Sequence, residues 1–146
     1  MNKKLINKIS TELWNFIPQY HKFMHNFEKN KSNQLLNKSK KKALMIIHYH
    51  GEMYMSKLGE CIDLQKGSLT TLIDSLENNG YIKRKFLTSD RRKTVLTLTN
   101  KANNIINNRQ NDMEEYISIL FKKLSDTEIT QLLNSIKMLT KIMAKI

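Results

Sequence analysis

With 146 residues, 40% of them hydrophobic and 26% charged, the chain has the composition of one soluble globular domain, which excludes a disordered chain. No run of 18 apolar residues occurs, so no spanning helix is expected, and a single Cys excludes an internal disulfide and suits a reducing cytoplasm. The net charge of +12 favours a polyanionic partner, although an Asn-, Lys- and Ile-rich composition would raise it anyway.

With four Gly and one Pro in the whole length, the chain is expected to be mostly helical. Met1-Asn2-Lys3-Lys4-Leu5-Ile6 runs into polar Asn7 and Lys8, so no secretory signal is expected. Leu5, Ile9, Leu13, Phe16, Ile17, Tyr20, Phe23, Met24 and Phe27 recur at three- and four-residue steps and predict an amphipathic helix. Pro18 is expected to kink or divide it. A polar, lysine-rich loop over 28–42 leads into a second helix, capped by Asn37 or Ser39, burying Leu44, Ile47 and Met45 and ending at Gly51.

Met53-Tyr54-Met55 reads as a short extended piece, with Ser56 as N-cap of a helix through Ile62. After a turn over Leu64 to Gly67, a further helix to Asn79 buries Leu69, Leu72, Ile73 and Leu76, and Gly80 stops it. Two helices joined by so short a turn make a helix-turn-helix unit. The period then changes to two: Tyr81 to Leu87 and Thr94 to Leu98 read as strands around a polar tip, Thr88-Ser89-Asp90-Arg91-Arg92-Lys93. Such a hairpin needs the preceding helices to pack on, and forms a wing. Thr99 caps a helix from Asn100 to about Lys123, and Ser125-Asp126-Thr127-Glu128 is a capping box for a last helix. That helix carries Ile129, Leu132, Leu133, Ile136, Leu139, Ile142, Met143 and Ile146 in one stripe.

Leu58-Gly59-Glu60-Cys61-Ile62-Asp63-Leu64, the run Ser68 to Arg84, and Asp90-Arg91-Arg92-Lys93-Thr94-Val95-Leu96-Thr97-Leu98-Thr99 together resemble the signature of the MarR family. The resemblance implies a mainly α fold with a small β-hairpin wing, a winged helix-turn-helix flanked by N- and C-terminal dimerisation helices. The corresponding regions are residues 1–36, 37–99 and 100–146 of one compact domain. It further implies a sequence-specific transcriptional regulator, a ligand-responsive repressor bound as a homodimer to a pseudo-palindromic operator on double-stranded DNA.

Lys66, Ser68, Thr70 and Thr71 are then expected at bases or phosphates, and Arg84, Asp90, Arg91, Arg92 and Lys93 complete the expected DNA-binding set. By the same resemblance, Asp90 braces the loop by pairing with an arginine and Arg92 enters the minor groove, where a narrow A·T tract attracts guanidinium. Relatives often carry arginine where this chain has Thr71 and Ser75. Three of the four arginines lie between Tyr81 and Val95, a clustering that lysine enrichment does not produce. A non-specific or architectural DNA-binding protein is the alternative, and a solvated hairpin the plain reading of the wing.

Outside that unit, Trp14, Phe16, Ile17, Tyr20, His21, Met45 and Tyr49 are a candidate lining for a small aromatic effector, although an aromatic stripe at helical spacing is more often core. His21 and His25 stand four apart, a spacing that can serve a metal, whereas His48 and His50 diverge. No third ligand is evident, so neither a metal nor another cofactor is expected. Cys61 has no visible basic neighbourhood to make it reactive. Without a nucleophile–base pair, phosphate loop or complete metal set, no enzymatic activity is expected.

Overall fold

A computed structural model describes residues 2–29, 36–86 and 93–145. Its elements in chain order are α1 (Lys3–Lys29), α2 (Lys38–His50), β1 (Glu52–Tyr54), α3 (Met55–Ile62), α4 (Lys66–Asn78), β2 (Ile82–Phe86), β3 (Thr94–Leu98), α5 (Asn100–Leu120), a 3₁₀ turn (Phe121–Lys123) and α6 (Asp126–Met143). The chain forms two compact units, Met1–Gln110 and Asn111–Ile146. The mainly helical architecture with a small antiparallel sheet follows the expectation from the sequence.

In the first unit, α1 is not divided: Pro18 lies inside one continuous helix. The helix also takes in Glu28 and Lys29, both expected in the loop. α2 starts where Asn37 accepts a hydrogen bond from Lys40 N at 2.9 Å, which settles the cap on Asn37. Its core side is Ala43, Leu44 and Ile47, and Met45 is exposed, contrary to expectation, because it lies off that stripe.

The short extended piece is a true strand, and it makes the sheet three-stranded with β3 in the centre. All neighbours are antiparallel; Met53 faces Leu96, and Leu96 faces Arg84 across the second ladder. Because β1 pairs up to Tyr54, the extended N-cap of α3 is Tyr54 itself, and Ser56 stands inside the first turn instead of capping it.

The core gathers α2, β1, α3, α4, β2, β3 and the start of α5, with Leu44, Ile47, Leu58, Ile73, Leu76, Ile82, Leu96 and Ala102 among its residues. α3 and α4 approach closely at Gly59, where an added Cβ would lie 2.8 Å from Leu69 Cδ2. Substituting Gly59→Val should therefore cost about 1–3 kcal/mol, as overpacking does. Gly59→Ala should cost less, because the end of Leu69 can yield; urea denaturation of both variants checks the order.

α4 ends in a Schellman motif. Gly80 adopts φ 73°, Gly80 N donates to Glu77 O at 2.8 Å, and Tyr81 N donates to Leu76 O at 2.9 Å. The start of α5 is stitched onto this end: Thr99 Oγ1 donates to Gly80 O at 2.7 Å, and Lys101 Nζ donates to Asn79 O at 2.9 Å while lying over the Tyr81 ring. These bonds fix the far end of α4 against the strands that follow it.

In the second unit, α6 opens with the expected capping box, Glu128 N donating to Ser125 Oγ and Ser125 N donating to Glu128 Oε2. The hydrogen bonds from Ser125, its backbone amide first, hold the Glu128 carboxyl below the usual carboxylate range. None of the described α6 residues is buried, and Leu132, Leu133, Ile136, Leu139, Ile142 and Met143 are exposed.

Candidate nucleic-acid interface

α4 buries Leu69, Leu72, Ile73 and Leu76 on one side, which turns its first residues outward. The helix starts at Lys66, one residue before the expected Gly67, with Gln65 as an extended N-cap. Lys66, Ser68, Thr70 and Thr71, all expected at DNA, are exposed together on this first stretch. Thr70 Oγ1 donates to Lys66 O at 3.0 Å and Thr71 Oγ1 to Gly67 O at 3.2 Å.

The turn into α4 is set by Asp63 in the left-handed conformation, φ 60°, with Leu64 N donating to Gly59 O at 3.2 Å. α3 therefore ends as abruptly as a helix-turn-helix requires.

Arg84, expected among the DNA contacts, lies on the side of β2 that holds buried Ile82, in one cross-strand row with Met53 and Leu96. Its guanidinium is paired with two carboxylates of α4: Nη2 with Asp74, and Nε with Glu77 Oε2 at 3.1 Å. Arg84 N also donates to Glu77 Oε1 at 3.3 Å. With only 19% of its side chain exposed, Arg84 joins the wing to α4 from within. The signal for this was present in the sequence: period two places Arg84 on the same side as buried Ile82, and Asp74 and Glu77 stand three apart on the helix.

The opposite parity of β2 carries Lys83 and Lys85, both exposed and neither in the expected DNA-binding set, and Lys93 is exposed just before β3. Asp90, Arg91 and Arg92 lie outside the described residues.

Other charge pairs are structural or superficial. Lys57 and Glu60 pair on the surface of α3 at 2.9 Å, and that hydrogen bond and charge raise the lysine's pKa. Cys61, beside them, is exposed. Among the described residues, no three His, Cys, Asp or Glu side chains come together as a metal site.

The seven residues of the expected effector lining are divided: Trp14 and Ile17 line a trough on α1, and the other five, Phe16, Tyr20, His21, Met45 and Tyr49, do not line it. The trough is shallow, and Ile6, Ile9, Ser10 and Leu13 complete its lining. Met45 and Tyr49 are exposed on α2. None of the described helices is long and apolar enough to cross a membrane.

Comparison with known proteins meets this geometry at the same place. Residues 36–94 match the model of the MarR family. The chain is 36% identical over 64 residues to the HTH-type transcriptional regulator YfiV of Bacillus subtilis, an alignment covering 44% of this chain and 40% of YfiV. Across four curated relatives it matches, the aligned part spans 39% to 65% of their own length.

Among solved structures, a MarR family protein from Bacillus stearothermophilus superposes with a TM-score of 0.73 at 19% identity, covering 99% of both chains. NadR in complex with 4-hydroxyphenylacetate superposes with a TM-score of 0.65 at 18% identity, covering 88% of this chain and 91% of NadR. Those likenesses carry the fold over nearly the whole length, while the family match falls on the stretch from α2 to the start of β3. Over residues 36–94 the chain is similar to the MarR family, and its fold is that of the solved MarR structures.

Proposed function

We propose that this protein is a sequence-specific transcriptional regulator that binds double-stranded DNA as a homodimer and acts in the cytoplasm as a repressor. The observation that carries the reading is the outward face of α4, Lys66 to Thr71, standing in a MarR-type winged unit beside a hairpin whose outer side presents Lys83, Lys85 and Lys93. A helix so presented enters the major groove, and a basic hairpin reaches the backbone or the adjacent minor groove. In this reading Arg92 enters the minor groove and Asp90 and Arg91 belong to the same contact.

Two copies supply two such helices for a pseudo-palindromic site. The exposed apolar residues of α1 and α6, Leu5, Ile9, Leu13, Leu133, Ile136 and Ile142 among them, support pairing with a second chain. A small aromatic ligand lodged near Trp14, Ile17 and His21, with Met45 and Tyr49 contributing, would shift the spacing of the two reading helices and release the operator. The capture of 4-hydroxyphenylacetate by NadR supports that class of effector.

Titration of the dimer against its operator and a scrambled duplex over a range of salt tests the reading. Operator binding should exceed scrambled binding by at least about a thousandfold at moderate salt. Equal affinities would instead identify a non-specific architectural protein. In the same assay Arg92→Ala should weaken operator binding by about tenfold or more with the thermal midpoint unchanged, and undiminished affinity would refute its role.

A further inference from the structure

The hydroxyls on α4 are already partly committed, and this limits what they can read. A threonine hydroxyl has one proton. Thr70 gives its proton to Lys66 O at 3.0 Å, and Thr71 gives its own to Gly67 O at 3.2 Å. Each oxygen then meets the solvent as an acceptor only, with its methyl group beside it. Both side chains are exposed.

The four bases answer such a surface differently. In the major groove guanine shows N7 and O6, both acceptors, so its edge would set lone pairs against lone pairs. Cytosine offers the N4 donor but no methyl. An A·T pair offers both the adenine N6 donor and the thymine C5-methyl. α4 contains no arginine for a bidentate guanine contact, and Lys66 is its only basic residue.

We infer that Thr70 and Thr71 make α4 a reader of A·T pairs, accepting from adenine N6 and packing their methyls against thymine methyls. Any guanine preference is confined to the position Lys66 reaches. This rests on the reading of α4 as the major-groove helix, and it adds which base pairs that helix selects.

Selection of bound duplexes from a random library by the full-length protein, followed by replacement of selected thymines with deoxyuridine, tests it. The selected half-site should hold A·T pairs at adjacent central positions. Each deoxyuridine there should weaken binding about fourfold, the effect of one buried methyl. The doubly substituted protein, Thr70→Ser with Thr71→Ser, keeps the hydroxyls and should bind thymine and deoxyuridine duplexes equally. The Thr71→Val variant keeps both branches' shape and should retain the thymine preference.

Guanine at those positions, or deoxyuridine bound as tightly as thymine by the unmodified protein, would overturn this readout while leaving operator recognition standing. Failure to enrich any sequence would overturn operator recognition, and the readout with it.

Discussion

Replacing Phe27 with alanine should destabilise the protein by about 3–5 kcal/mol, the usual cost of deleting a buried phenyl ring. α1 is 27 residues long, yet Phe27 is its one buried residue. The ring is 1% exposed and carries the Arg109 guanidinium 5.0 Å from its centroid. Next to it Glu28 pairs with that same arginine and with Lys41 Nζ at 3.1 Å.

One short stretch at the end of α1 thus meets α2 and α5 through an aromatic ring and a shared carboxylate. Removing the ring opens a cavity and takes away the surface against which Arg109 lies. Phe27→Leu keeps most of the apolar volume and should cost about 1–1.5 kcal/mol. Urea denaturation at one fixed protein concentration checks both values, because self-association would otherwise shift the midpoint. A loss below about 1 kcal/mol for the alanine variant would mean that α1 is held by something other than Phe27.

Most of the architecture was legible because period and caps agree. Asn37, Gly80 and Ser125 stand where helices start or stop, and each makes the bond its chemistry dictates. Ser56 misled for a physical reason: a strand ending at Tyr54 already supplies the extended N-cap residue, so the hydroxyl two residues further on has no capping task. Pro18 does not divide α1, which runs on to Lys29, because the loss of one amide donor need not end a helix.

At the candidate site, the exposed start of α4 was readable from the apolar stripe on its other side. The bonding of its hydroxyls was not, since a threonine can turn its proton either way until the backbone is fixed. Composition alone classed Arg84 with the wing's other cations. Strand parity and the two acidic residues on α4 separate it from them, and the pairing follows only when β2 lies beside that helix.

The second large effect concerns that arginine. Arg84→Ala should lower stability by about 2 kcal/mol, leaving Asp74 and Glu77 together without a cation. The figure is below that for a fully buried pair because the two carboxylates are 49% and 39% exposed and can regain water. Arg84→Lys keeps the charge but not the planar fork that serves two acids at once, so it should lose about half as much. Arg84→Glu sets three carboxylates side by side and should be the least stable of the series.

A salt titration of DNA binding separates this bracing role from a direct phosphate contact. The slope of log affinity against log salt counts neutralised phosphates and falls by about 1 for each contact removed. At a temperature where Arg84→Ala is fully folded, its affinity should drop because the wing is less firmly held, with the slope unchanged. By contrast, Lys83→Ala or Lys85→Ala, on the outer side of the same strand, should reduce the slope by about 1 and leave stability within about 0.5 kcal/mol. A reduced slope for Arg84→Ala at unchanged stability would return its guanidinium to the DNA. The ion pairs with Asp74 and Glu77 predict the opposite separation, stability lost and slope kept.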